Sequence, residues 1–99
     1  MQNLKIERRG NTAIIEFHGE QLIEYVLEQK NKIAEVIEDA ENLQIVFGDD
    51  VRLHAAQLQL ILSLMSDFQQ QGRKVKTVGA EKGSIRKQLE IAGCFSFFN

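Results

Sequence analysis

The fold is decided by residues 43–72, which read LQIVFGDDVRLHAAQLQLILSLMSDFQQQG. The apolar run 43–47 is stopped by Gly48, Asp49 and Asp50, which predicts a buried strand followed by a loop. After residues 51–53 comes a segment with helical apolar periodicity, residues 54–71, which Gly72 ends. A strand–loop–helix unit usually carries its working residues in the loop and the first helical turn.

Composition indicates one ordinary globular domain, residues 1–99, with a single modest core. The chain is 43% hydrophobic and 26% charged, and its net charge of −2 argues against a surface for nucleic acid or anionic membrane. The single cysteine excludes an internal disulfide. No apolar run approaches the roughly 20 residues of a membrane helix, and the start does not resemble a signal peptide, so we expect a cytoplasmic protein without direct membrane insertion.

The elements on either side predict an α/β fold. Residues 4–8 and 12–18 alternate around the turn signal Gly10-Asn11, which predicts a hairpin. Residues 22–40 predict a helix whose apolar stripe is Leu22, Val26, Ile33, Ile37 and Ala40. Residues 73–78 predict a strand that follows the central helix through a right-handed parallel crossover. We therefore expect a mixed sheet of four to five strands, with a hairpin at one edge and about three helices packed on it.

The central helix predicts its own buried face. At about 100° per residue, the side chains that share one face are Leu58, Ile61, Leu62, Met65 and Phe68. Leu60 and Leu64 lie beside that face and either pack on a neighbouring helix or form a patch for a partner.

The last segment predicts a short helix with Ser84 as its N-cap and Gly93 at its end. Cys94 is expected to be a small buried residue. We expect the tail to be extended, with Phe95 or Phe97 buried, unless these aromatic side chains contact a partner.

The sequence contains no recognisable catalytic, metal or cofactor motif. Neither G-x-G-x-x-G nor a Walker loop occurs, and one cysteine with two histidines offers no zinc pattern. His18 is interpreted as a surface residue at a strand end. Asp49 and Asp50 are similar to the acidic pocket of receiver domains, but no other strand ends in the third carboxylate that such a pocket needs. We interpret both as loop-forming residues, and we expect a protein that is not an enzyme and uses no cofactor.

Several local phrases, in this order, resemble a STAS domain, the module of anti-sigma factor antagonists and sulphate transporters. The resemblance rests on residues 17–20 (FHGE), 43–47 (LQIVF), 51–53 (VRL) with 58–62 (LQLIL), 71–75 (QGRKV) and 85–93 (IRKQLEIAG). It extends over nearly the whole chain and implies a regulatory domain that acts by protein–protein interaction.

One departure from the family concerns its switch motif, Asp-Ser-Ser-Gly or a sequence like Asp-Thr-Gly-Gly, at the start of the central helix. The matching residues here are His54, Ala55, Ala56 and Gln57. The hydroxyl that a kinase phosphorylates in switchable members falls on Ala55, which has none. A phosphate there would add nearly two negative charges to the contact surface. The resemblance therefore implies a member that is not switched at this position.

The resemblance also implies a partner. The predicted partner-binding residues are Arg52, His54, Ala55, Ala56, Gln57 and Leu60. In anti-sigma antagonists the partner is a sigma-sequestering, kinase-like anti-sigma factor. An alternative is a small STAS subunit of a bacterial ABC lipid-transport complex, which contacts the ATPase. A third interpretation, from another class, is a receiver-like or nucleotide-binding domain, and homodimer formation stays open.

Overall fold

The computed structural model describes residues 3–98 as an α/β domain with four strands and three α-helices. The strands are β1 (Leu4–Arg9), β2 (Thr12–Phe17), β3 (Asn42–Phe47) and β4 (Lys74–Val78), and the α-helices are α1 (Val26–Ile37), α2 (Ala55–Gln70) and α3 (Gly83–Ile91). Two short 3-10 helices, Ile23–Tyr25 and Phe95–Phe98, precede α1 and follow α3.

The sheet confirms the predicted mixed topology, with strand order β1-β2-β3-β4. β1 and β2 form an antiparallel hairpin around Gly10, whose positive φ of 56° suits the tight turn. β3 pairs in parallel with β2, and β4 pairs in parallel with β3. Both parallel connections step in the same direction across the sheet, so right-handed crossovers place α1 and α2 on the same face.

The core therefore lies on one face of the sheet. Ala13, Ile15 and Phe17 of β2 are buried, and they pair in register with Leu43, Ile45 and Phe47 of β3, which are buried as well. The alternate side chains of both strands are half-buried and face the other side. Within residues 3–98 no helix is long and apolar enough to cross a membrane.

The helix expected over residues 22–40 is shorter and starts differently. Its first turn is the 3-10 helix Ile23–Tyr25, and α1 then runs to Ile37. Two arginines from the sheet side bind the carbonyl groups at its C-terminal end. Arg8 donates to Val36 O at 2.8 Å, and Arg73 donates to Ala40 O at 2.7 Å while its guanidinium stacks 3.9 Å from the centre of the Phe68 ring.

The buried face of α2 is rotated from the predicted one. Ile61, Met65 and Phe68 are buried as expected, but Leu58 and Leu62 are only half-buried, which corrects the prediction for both. The buried set is Gln57, Ile61, Leu64, Met65 and Phe68. These spacings of three and four define a single helical stripe, and a glutamine occupies its first position. Leu64, predicted to lie beside the core, belongs to it.

The end of the chain differs from the prediction in two respects. Ser84 is not the N-cap of α3, because the helix already begins at Gly83 and its N-cap is Lys82. The tail is not extended but forms a 3-10 helix, and its buried aromatic residue is Phe98, which meets the Phe47 ring edge to face at 5.7 Å. Gly93 ends α3 as predicted: its N–H binds Glu90 O, and the Cys94 N–H binds Leu89 O.

Candidate functional site

The loop between β3 and α2 is fixed at the carboxyl ends of β2 and β3. The Gly48 N–H donates to Phe17 O at 2.9 Å, and the Asp50 carboxylate accepts from the Gly19 N–H at 3.1 Å. Arg52 then forms an isolated parallel bridge with Glu20, closed by the Arg52 N–H to Gly19 O at 2.8 Å. Asp50 is thus a loop-forming residue, in agreement with its interpretation from the sequence.

A glutamine from α3 holds the next part of this loop. Gln88 accepts from the Leu53 N–H at 2.7 Å and donates to Val51 O at 2.9 Å. Its side chain replaces the strand partner that residues 51–53 would otherwise lack. The segment that leads into α2 is therefore held by β2 on one side and by α3 on the other.

The first turn of α2 is accessible and lacks a hydroxyl group. His54 is the N-cap, and its Nδ1 accepts from the Ala56 N–H at 3.0 Å. His54 and Ala55 are exposed and Ala56 is half-buried. Arg52 is exposed next to them, so four of the six predicted partner-binding residues lie together at this surface.

Gln57 does not belong to that surface. It is fully buried, and its Nε2 donates to Leu22 O at 2.5 Å and to Gln29 Oε1 at 3.2 Å. Gln29 in turn donates to Gln21 Oε1 at 2.7 Å, and Gln21 donates to His18 O at 2.8 Å. The predicted role of Gln57 in partner contact is therefore replaced by a structural one, because its amide ties α2 to α1.

Leu60 lies one turn further along α2, where it is half-buried. It faces a shallow groove between α1 and α2 that is also lined by Val26, Leu27 and Ala56. Leu27, which lines the groove on the α1 side, is 67% exposed, so the groove has an apolar edge there. Leu60 thus joins the exposed first turn of α2 to an apolar strip on α1.

Charged groups of both signs surround this surface: Arg52 is exposed and Lys30 lines the groove, while Glu20, bridged to Arg52, and Asp50 in the same loop are exposed as well. Two pKa shifts lie elsewhere in the molecule. A hydrogen bond from Arg8 lowers the pKa of Asp39 at the end of α1, and burial raises the pKa of the Cys94 thiol. Among residues 3–98 no cluster of three His, Cys, Asp or Glu side chains could hold a metal ion.

Solved structures similar to this chain include two of SpoIIAA. The phosphorylated form, described as a Bacillus cell fate determinant, matches with a TM-score of 0.68 and 16% identity over 97% of this chain and 88% of that one. The unphosphorylated form, described as an anti-sigma factor antagonist, matches with a TM-score of 0.71 and 16% identity over 97% and 85%. The chain has the STAS fold of an anti-sigma factor antagonist. No protein-family model and no curated protein matches the sequence.

The buried glutamine network of Gln21, Gln29 and Gln57 beneath the candidate site was not predicted from the sequence. A signal for it was present, because Gln29 falls between Val26 and Ile33 on the apolar stripe of α1. Gln57 likewise precedes Ile61 by four residues on the stripe of α2. Two glutamines on facing apolar stripes indicate a buried amide pair, since a buried polar side chain is usually hydrogen-bonded.

Proposed function

We propose that this chain is a non-catalytic regulatory module that binds a protein partner through the loop before α2 and its first turn. The contact residues are Arg52, His54, Ala55, Ala56 and Leu60, and Leu27 at the apolar edge of the groove extends the surface. The observation that carries the proposal is the exposed, hydroxyl-free first turn of α2 on a fold shared with an anti-sigma factor antagonist.

The rigidity of this surface supports a docking role. The segment before α2 is hydrogen-bonded to Gly19, Gln21 and Gln88, and the Gln57 side chain anchors the first turn. A surface that is ordered before binding loses little conformational entropy when a partner docks. The small side chains of Ala55 and Ala56 and the half-buried Leu60 suit a closely packed apolar contact, flanked by the exposed side chains of Arg52 and His54.

Binding through this surface is not switched by phosphorylation in our proposal. Ala55 occupies the first position of α2 and is exposed, so a hydroxyl placed there would be accessible to a kinase, but alanine provides none. Ser63 and Ser66 are exposed two or more turns further along the helix; Ser63 also lines the groove, but neither serine lies in the first turn of α2.

The proposal includes two candidate classes of partner. A kinase-like anti-sigma factor is the first candidate, since the likeness to an anti-sigma factor antagonist covers 97% of the chain. The ATPase of an ABC lipid-transport complex, with the chain as its small STAS subunit, is the second. A receiver-like or nucleotide-binding role has less support, because Asp49 and Asp50 lie in an exposed loop and Asp50 is occupied in binding the Gly19 N–H.

The test uses Ala55→Asp, which places a charge in the proposed contact. An acidic residue in the first turn of a helix is favourable for the fold, so the variant is expected to remain folded. Burying the unpaired carboxylate against a partner is expected to weaken binding at least about 100-fold. The partner is identified by mass spectrometry after affinity purification from the native cell, and binding of the purified pair is measured by calorimetry with the fold checked by circular dichroism.

Ala34→Asp is the matched control, because Ala34 is exposed on α1 about 10 Å along the helix from Leu27. It should bind like the wild type. Equal affinities of the wild type and folded Ala55→Asp would place the contact elsewhere. Phosphorylation of the wild type on a serine with loss of binding would contradict the unswitched interaction. Identification of the purified partner as an anti-sigma factor or as an ABC ATPase decides between the two candidates.

A further inference from the structure

The outer edge of β4 carries backbone groups that face away from the sheet. The Lys74 N–H donates to Glu41 O at 3.2 Å, so the backbone groups of Lys74 point toward β3. Because these groups alternate along a strand, those of Lys76 and Val78 also point toward β3, and those of Val75 and Thr77 point to the open edge. Within residues 3–98 no further strand pairs with β4.

A groove runs beside this edge on the helical face of the sheet. It is lined by Met65 and Gln69 of α2, Val75, Lys76 and Thr77 of β4, Glu81, and the tail residues Phe97 and Phe98. The Thr77 hydroxyl donates to Phe98 O at 3.0 Å, which holds the tail at the end of the groove. Phe97 is 65% exposed, so an apolar side chain that entered the groove would find an aromatic contact.

The opposite side of the same edge is basic. Lys74 and Lys76 are exposed on the face of the sheet that the helices do not cover, and neither takes part in an ion pair found within residues 3–98. Glu81, the acidic residue of the groove lining, follows β4 in the chain. A strand added to β4 would therefore meet apolar groups on one face and two lysines on the other.

We propose that the edge of β4 binds an extended protein segment in which apolar and acidic residues alternate. The segment adds a fifth strand to the sheet, with its apolar side chains toward Met65 and Phe97 and its acidic side chains toward Lys74 and Lys76. This surface shares no residue with the one at the start of α2, so both can be occupied on one molecule.

The same lysines argue against a second copy of this chain as the occupant. An antiparallel pairing of β4 with another β4 would bring Lys74 and Lys76 of one copy opposite those of the other. Like charges directly opposite one another destabilise a strand pair, and lysines on an edge strand are a common protection against self-association. Charge complementarity therefore selects an acidic segment.

The probe is the fluorescein-labelled peptide Asp-Val-Glu-Val-Glu-Val-Asp, with binding measured by fluorescence anisotropy at low salt. The wild type should bind it and should not bind Lys-Val-Lys-Val-Lys-Val-Lys, and the affinity should fall as salt is added, because the lysines are exposed. The shuffled peptide Val-Val-Val-Asp-Glu-Glu-Asp has the same composition without the alternation and should bind about tenfold more weakly or worse.

Backbone pairing is tested on the peptide, so that the fold of the protein is not altered. One version carries N-methyl groups on its valines and another carries them on its acidic residues. Only one of these two sets donates hydrogen bonds to β4, so one version should lose binding and the other should keep it. Equal binding of both versions would overturn strand addition.

The charge partners are tested with Lys74→Glu/Lys76→Glu. Reversing both charges should weaken binding of the acidic peptide about tenfold or more and allow the lysine peptide to bind. Lys5→Glu is the matched control, because Lys5 is an exposed lysine of the same face at the far strand of the sheet. Phe97→Ala should weaken binding with an unchanged melting temperature.

Two further results would overturn the proposal. The first is an acidic peptide that binds Lys5→Glu and the double β4 variant equally weakly, which would indicate nonspecific charge attraction. The second is that light scattering shows a dimer for the wild type, with or without the peptide, and a monomer for the double β4 variant. That result would assign the edge to a second copy.

Discussion

The glutamine network beneath α2 permits a stability prediction in which two chemically identical substitutions have different costs. Gln29→Leu removes the amide that donates to Gln21 Oε1 at 2.7 Å. Gln21 Oε1 has no other hydrogen bond within residues 3–98, and Gln21 is only 3% exposed, so this acceptor is left buried and unpaired. Such a group costs about 1–3 kcal/mol. We therefore expect Gln29→Leu to lower the free energy of unfolding by about 2 kcal/mol.

Gln57→Leu should be nearly neutral, because it removes one unpaired acceptor and creates another. Gln57 Oε1 is buried without a hydrogen-bond partner within residues 3–98, and the substitution eliminates it. Gln29 Oε1 then loses its donor, whereas Leu22 O keeps the Tyr25 N–H at 3.1 Å. The number of unpaired buried acceptors is unchanged, so we expect a cost within about 0.5 kcal/mol of zero, as for substitutions that leave such groups balanced.

The double variant gives the sharpest test, because the second substitution should restore what the first one loses. In Gln29→Leu/Gln57→Leu the acceptor left unpaired is Gln21 Oε1, which takes the place of Gln57 Oε1 in the wild type. The double variant should thus be about 2 kcal/mol more stable than Gln29→Leu alone, a coupling of the size found for residues in one hydrogen-bond network. Both leucines gain apolar burial to a similar extent, so the comparison isolates the unpaired acceptors.

The assay is urea unfolding followed by circular dichroism, with thermal melts as a second measure. A difference of about 2 kcal/mol corresponds to roughly 10 °C in melting temperature for a domain of this size. Equal costs for the two single variants, or additive costs in the double variant, would refute the count of unpaired acceptors and the amide orientations behind it. An unchanged m-value is needed, because a change in m would mean that the unfolded state had been altered.

Two further predictions follow from the core. Ile61→Ala should lower the free energy of unfolding by about 2–5 kcal/mol because Ile61 is completely buried, and Leu62→Ala by about half as much because Leu62 is half-buried. Equal losses for the two variants in urea unfolding would support the buried face of α2 that was predicted from the sequence. Cys94 is 5% exposed and burial raises the pKa of its thiol, so the native protein should react slowly with Ellman's reagent and rapidly once urea unfolds it. Fast reaction of the native protein would show that the thiol is accessible. Because the pKa of the Cys94 thiol is raised in the folded state, its contribution to stability is present below the ordinary thiol pKa and is lost as the pH rises above that value.

The sheet could be predicted from the sequence because its strands carry strong, local signals. Burial alternates along β2 and β4, and Gly10, Gly72 and Gly93 lie at the turns and helix ends where positive φ angles are needed. Parallel pairing of β3 with β4 followed from the helix between them. The mixed topology is therefore largely a consequence of local sequence.

The tail could not be predicted because its conformation depends on distant contacts. Residues 94–98 are too short and too uniformly apolar to show a helical or strand period. Their path is set by the Gly93 helix end, the Thr77 hydroxyl on Phe98 O and the packing of Phe98 on Phe47. The buried face of α2 was predicted wrongly for a different reason. Only apolar residues were used to define the predicted face, so Gln57 was left out.

The position of Gln57 connects the missing hydroxyl to the rigidity of the candidate site. In the resemblance to STAS domains, Ala55 stands where the switchable serine occurs and Gln57 stands where the motif ends in glycine. Glycine leaves the first turn of the helix without a side-chain anchor, whereas Gln57 bonds that turn to Leu22 O and to Gln29 on α1. A phosphorylation switch needs an accessible hydroxyl group. A fixed docking surface instead needs a first helical turn that does not move. Both departures act in the same direction and support the proposed function, in which the partner contact is always available instead of being turned on and off.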